Sequence, residues 1–117
     1  MKNNLGKYGE NIAINFLKNK FYEIIAVNWR SSYHEIDIVA KFEDTLVIIE
    51  VKTSNSDTFG HPSEFVNSKK HRNLFLATDA FIESSEYQGE VRFDIIAVYQ
   101  EDNQWLVDHI EDAFYPN

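Results

Sequence analysis

Two short charged motifs are the residues in this chain best suited to chemistry: Glu35-Ile36-Asp37 and, after twelve further residues, Glu50-Val51-Lys52. Residues 35–42 and 45–52 read as two strands joined at Glu43-Asp44. Successive strand side chains alternate between faces, so Glu35 and Asp37 share one face, and Glu50 and Lys52 share one on the next strand. Ile36, Ile38, Ile49 and Val51 then occupy the opposite face. An even-numbered loop makes paired positions sum to 87, which sets Asp37 across from Glu50 and Glu35 across from Lys52. Like charges directly opposite destabilise a strand pair, so Asp37 and Glu50 call for a compensating cation. A hard divalent ion, Mg²⁺ or Mn²⁺, suits carboxylate oxygens and leaves coordination positions for water and phosphate. Lys52 could hold an attacking water or stabilise charge developing on phosphorus. The plainer alternative is a solvated strand face with a Glu35–Lys52 ion pair. Leu46, Ile48 and Val39 on that same face argue instead for partial cover, where an unbalanced carboxylate is costly.

The elements that must position these residues follow from periodicity. Leu5, Tyr8, Ile12, Ala13, Phe16 and Leu17 recur at helical spacing within residues 3–20, with Asn3 or Asn4 as a cap. Glu10 lies three and seven residues before Ala13 and Leu17, on the border of the inward face, and is a candidate third acid; the alternative is an ordinary ion pair. Residues 21–27 read as a first strand interrupted by Asn28-Trp29-Arg30-Ser31-Ser32. A second helix is expected from Pro62 to about Ile82, with Val66, Leu74, Ala77 and Phe81 facing inward. Strands at 91–99 and 104–110, joined by Glu101-Asp102-Asn103, precede a tail from Glu111. The order is α-β-β-β-α-β-β in one α/β domain spanning residues 1–117.

Composition narrows the class. With 44% hydrophobic and 15% aromatic residues, a chain of 117 residues can bury a core without staples. The absence of cysteine removes any thiolate zinc site and fits a reducing compartment, so a cytoplasmic location is expected. No stretch reaches the apolar length of a signal peptide core or a membrane span, so no membrane partner is expected. The net charge of −8 runs against a phosphate-rich partner. Its excess lies in the second half, however: residues 1–60 carry seven Lys/Arg against eight Asp/Glu, and residues 61–117 four against eleven.

Together with Gly9-Glu10, Asn28-Trp29-Arg30, Phe59-Gly60, Pro62, Glu64, Val66, Lys70, Leu74, Arg92-Phe93-Asp94, His109-Ile110 and Ala113-Phe114, the two charged motifs resemble the PD-(D/E)XK nuclease superfamily. The closer similarity is to its YraN-like branch of bacterial proteins, over nearly the whole chain. That resemblance implies a restriction-endonuclease-like core: a mixed central sheet containing an antiparallel three-stranded meander, flanked by helices. It further implies metal acids at Asp37 and Glu50, a backbone carbonyl ligand from Val51, a site lysine at Lys52 and a helical acid at Glu10. Kinship with archaeal Holliday-junction resolvases implies DNA as partner and a homodimer, since two symmetric cuts need two sites. This chain departs from the family pattern at His34, where glycine is usual, and at Ser54, where arginine is frequent.

Candidates for gripping nucleic acid are Lys70 and Arg72, within Lys69-Lys70-His71-Arg72, and Arg30. Lys70 lies four residues from both Val66 and Leu74, on the inward stripe. His34 has the parity of Ile36 and Ile38 and is expected to point away from the acids. Trp29 and Tyr33 read as core aromatics before base-stacking platforms. The function these residues indicate is a Mg²⁺-dependent endonuclease acting on branched or single-stranded DNA. The alternative is a catalytically idle nucleic-acid-binding or protein-interaction module on the same fold.

Overall fold

A computed structural model describes residues 4–32, 34–55 and 68–116, apart from the side chains of residues 68–70. Helix α1, Asn4–Asn19, buries Gly9, Ala13 and Leu17 at four-residue intervals, together with Glu10. It ends where Phe21 takes a left-handed φ of 69°, with Phe21 N–H donating to Lys18 O and Tyr22 N–H to Leu17 O. This is a Schellman stop, and Leu17 and Tyr22 supply its apolar contact inside the same core cluster. Phe21 was expected to open the first strand; it instead caps the helix, 89% exposed. Strand β1 runs Glu23–Arg30, so Asn28-Trp29-Arg30 continue it rather than interrupt it.

Strand β2 spans Glu35–Phe42 and β3 spans Thr45–Ser54, joined by a two-residue turn at Glu43-Asp44 in which Glu43 has φ 53°. Their register, Phe42↔Thr45 through Ile38↔Ile49, sums to 87 at every pair. Helix α2, Ser68–Ser85, then crosses to β4, Glu90–Glu101, which pairs in parallel with β3. The expected helix start at Pro62, the inward Val66 and Tyr33 lie outside the described residues. Strand β5, Gln104–Phe114, closes an antiparallel pair with β4 across the Asp102-Asn103 turn and runs four residues past its expected end at Ile110. The sheet order is β1-β2-β3-β4-β5, so the α/β architecture and the element order are those read from the sequence.

Each sheet face has its own core. Val47 and Ile49 meet Ala13 and Leu17 of α1, whereas Leu46 and Ile48 meet Leu74, Ala77 and Phe81 of α2. Trp29 packs edge-on to Phe81 at 5.3 Å, the structural role expected of it. Among the described residues no helix is long and apolar enough to cross a membrane.

Gly9 governs how closely α1 approaches β3. A Cβ there would collide with the hydroxyl and methyl of Thr53, which leaves no room for any other residue one position before Glu10. Overpacking of this kind costs about 1–3 kcal/mol. Thermal melts of Gly9→Ala are expected to show a loss in that range, partly recovered in the Gly9→Ala/Thr53→Ala double variant; additive losses would remove the contact as the cause.

Candidate metal centre

The alternation in β2 breaks at Asp37. Ile36 and Val39 pack in the α2-side core, whereas Ile38 and Ala40 pack in the α1-side core. Ile36 and Ile38 therefore do not share a face, contrary to the strict parity of a strand. The opposite strand changes face at the same level, where Trp29 pairs with Ile36, Val27 pairs with Ile38, and Asn28 between them has φ 54°. Asparagine tolerates this left-handed conformation better than most residues. The β2–β3 ladder ends at Ile38↔Ile49, and beyond it the Val51 N–H donates to Asp37 Oδ2 at 2.8 Å. A carboxylate thus takes a hydrogen bond that a strand carbonyl would otherwise accept. Between these elements lies a cavity of about 280 Å³ lined by His34, Glu35, Asp37, Ile49, Glu50, Val51 and Leu74. His34, expected to face away from the acids, lines it beside them because of the change of face.

Three carboxylates converge here. Oxygens of Glu10, Glu35 and Asp37 all lie within 4.8 Å of one another. Glu10 comes from α1, is only 4% exposed, and accepts from Asn28 Nδ2 at 3.1 Å through Oε1. Glu35 accepts from Arg30 Nε at 3.2 Å. An all-carboxylate donor set matches a hard divalent cation such as Mg²⁺ or Mn²⁺, and excludes a preference for soft thiophilic metals.

Glu50 lines the same cavity with different company. Its Oε2 meets His71 Nε2 at 3.2 Å and its Oε1 meets Lys52 Nζ at 3.4 Å. His71 is itself buried and stacks on Phe114 at 3.6 Å between centroids. Where the sequence offers a cross-strand Glu35–Lys52 pair, Glu35 pairs with Arg30, and Lys52 with Glu50 two residues back. Asp37, Glu50, Val51 and Glu10 are thus gathered at one end of the sheet, but the close carboxylate group contains Glu35 where Glu50 was expected. The Val51 N–H is the group that meets Asp37.

The sequence pattern does not mark Glu35 as a member of the acid group, and it places His71 only in the basic run Lys69-Lys70-His71-Arg72. His71 did leave a signal, because His71, Leu74, Thr78 and Phe81 are buried at i, i+3, i+7 and i+10 along α2. Of the residues expected to grip nucleic acid, Arg30 lies at the rim, Arg72 is exposed on α2, and the side chain of Lys70 lies outside the described residues. Arg30 joins Ser31, Ser32, His34 and Glu35 around a second hollow of about 200 Å³.

A separate ionic cluster sits on the α1-side face. Asp94 is fully enclosed; it accepts two hydrogen bonds from Arg92 at 2.9 Å, one from His109 Nε2 at 2.7 Å and one from the Asp112 N–H at 2.9 Å. The last closes a bulge in the β4–β5 ladder, where Asp112 has φ 52°. Burial pushes the Asp94 carboxyl upward, but His109, Arg92 and the Asp112 N–H outweigh it and leave its pKa below the ordinary value. Arg92 also donates to Tyr22 Oη at 2.6 Å, where burial raises the phenol above its usual range against the pull of the guanidinium. All of these acceptors and donors are consumed in holding β4, β5 and the end of α1 together, so this cluster is a structural staple.

Comparison with known proteins gives a consistent lineage. The sequence profile of the uncharacterised protein family UPF0102 matches residues 9–98. A UPF0102 protein of Flavobacterium psychrophilum is 46% identical over 113 residues, covering 97% of this chain and 95% of its own. Those of Bacteroides thetaiotaomicron and Alkaliphilus oremlandii are 44% and 39% identical over 114 and 117 residues, covering 97% of this chain and 94% and 100% of their own. The matched span contains every residue of the cavity and of the acid group.

Proposed function

This chain belongs to the uncharacterised protein family UPF0102, and for this member we propose metal-dependent hydrolysis of DNA phosphodiester bonds, with Mg²⁺ or Mn²⁺ as cofactor. The observation that carries this reading is the convergence of Glu10, Glu35 and Asp37 within 4.8 Å beside a cavity that also holds Glu50. Three carboxylates this close repel one another, and a divalent cation relieves that repulsion. The mixed sheet, with its antiparallel meander and the acids where β2 and β3 part, agrees with the restriction-endonuclease-like core that the sequence motifs imply.

Glu10, Glu35 and Asp37 would hold the ion, with Asn28 fixing the Glu10 carboxylate and the Val51 N–H fixing that of Asp37. Such an ion supplies Lewis-acid polarisation of the phosphoryl group and acidification of water. The Lys52 ammonium, on a side chain 30% exposed, stabilises charge that develops on the phosphoryl oxygens. Glu50 orients that ammonium through Oε1 and is itself fixed by His71 at Oε2. The rival reading, an idle binding or interaction module on the same fold, draws support from the net charge of −8.

One assay separates them. Purified protein is incubated with branched, single-stranded and duplex DNA, with Mg²⁺, Mn²⁺ or chelator, beside Asp37→Asn. Cleavage of branched or single-stranded DNA that needs the metal and is lost in the variant is expected. No cleavage in any combination would leave the binding module standing.

A further inference from the structure

We propose that Arg30 is an exchangeable counter-ion: it neutralises Glu35 while the acid cluster lacks a cation, and turns to a nucleic-acid backbone phosphate in the adjoining hollow once a divalent cation takes its place. This rests on the reading of Glu10, Glu35 and Asp37 as a cation site.

Three observations lead to it. First, Arg30 and the cation would compete for one group, since Arg30 Nε meets Glu35 Oε2 at 3.2 Å and Glu35 belongs to the carboxylate trio. A guanidinium and a divalent ion on the same carboxylate repel, so occupancy by one disfavours the other. Second, the Arg30 side chain is 70% exposed, and exposed pairs of this kind are weak enough to exchange. Its planar fork carries donors beyond Nε that suit a phosphate. Third, the destination already exists. The hollow of about 200 Å³ lined by Arg30, Ser31, Ser32, His34 and Glu35 shares His34 and Glu35 with the acid cavity, so a strand crossing the acids also crosses the hollow. The loop beneath it is tied: Ser31 N–H donates to His34 O at 2.9 Å, and the Ser31 hydroxyl accepts from His34 N–H at 3.2 Å. Moving Arg30 therefore requires a side-chain rotation only.

Exchange has a signature that a fixed role lacks, because removing Arg30 should affect the two ligands in opposite directions. The test measures Ca²⁺ binding by calorimetry, and then the salt dependence of single-stranded DNA binding in Ca²⁺ and in chelator, for wild type, Arg30→Gln and Arg30→Lys. Arg30→Gln is expected to bind Ca²⁺ about two- to fivefold more tightly, the range of an exposed ion pair. In Ca²⁺ its salt slope should be shallower than that of wild type by about 0.7, one single-strand phosphate contact, with no difference in chelator. Arg30→Lys, which keeps the charge, should stay near wild type in both. Calcium affinity that falls or stays unchanged in Arg30→Gln overturns the exchange. So does an equal slope change with and without Ca²⁺, or an absence of DNA binding. If Ca²⁺ binding is lost in Asp37→Asn but unaltered in Arg30→Gln, the cation site stands and only the exchange falls. No Ca²⁺ binding to wild type removes both.

Discussion

Asp94→Asn is expected to lower the melting midpoint by about 10 °C or more, the largest stability loss of any single substitution considered for this chain. The isosteric amide removes the fully enclosed negative charge that Arg92 and His109 share, leaving Arg92 only the more exposed Glu111 carboxylate at 3.2 Å. Breaking one partner of a buried ion pair costs about 3–5 kcal/mol, and each kcal/mol moves a domain of this size by a few degrees. The pH dependence has a defined sign. Because the folded Asp94 carboxyl titrates below its unfolded value, its contribution is complete above the unfolded pKa, about 3.9. It is lost as pH falls through the lower, folded pKa. The part of the gap between wild type and Asp94→Asn that the carboxylate supplies should therefore narrow in strong acid, below about pH 3.9. A gap that persists undiminished in acid would mean that shape rather than charge holds the β4–β5 bulge.

Asp37→Asn is expected to do the reverse, removing activity while sparing the fold. Loss of a residue that merely supports a metal ligand costs about 10- to 100-fold, so loss of a ligand carboxylate should lower metal-dependent cleavage by about 10³-fold. The amide oxygen can still accept from the Val51 N–H, and one of three repelling charges is gone. In chelator the variant should thus melt at the wild-type temperature or a few degrees above it. Mn²⁺ should raise the wild-type midpoint with the logarithm of its concentration and leave Asp37→Asn unmoved. The same change at Glu50 is expected to cost stability instead, since Lys52 and His71 would lose their anion. Equal responses of wild type and Asp37→Asn to Mn²⁺ would reduce the trio to a structural cluster.

The parts of this molecule that were legible in the sequence are those set by local pattern. The β2–β3 register followed from an even loop and from the alternation of Leu46 and Ile48 with Val47 and Ile49. Glu10 followed from its spacing to Ala13 and Leu17. The change of face at Asp37 was not legible, because it arises from contacts distant in sequence: the left-handed Asn28 on one neighbouring strand and the Val51 N–H on the other. That change is why Glu35 replaces Glu50 in the acid trio and why His34 lines the cavity. Phe21 has the composition of a strand residue, yet the Schellman bonds of α1 claim it first. Strand β5 outruns its apolar pattern because Asp94, eighteen residues away, holds the Asp112 bulge in place. His71 has its signal in α2 spacing, but its meaning depends on Glu50 and Phe114, which only the fold brings to it.

The proposed function stands or falls on where a divalent cation binds. Crystals grown in Mn²⁺ and measured near the manganese absorption edge would locate the ion by its anomalous scattering. The expected result is one dominant peak about 2.1 Å from oxygens of Glu10, Glu35 and Asp37, close to the distance of a small hard cation, with the Arg30–Glu35 contact opened. A dominant peak elsewhere, or none, with the three carboxylates still held by Asn28, Arg30 and Val51, would contradict it.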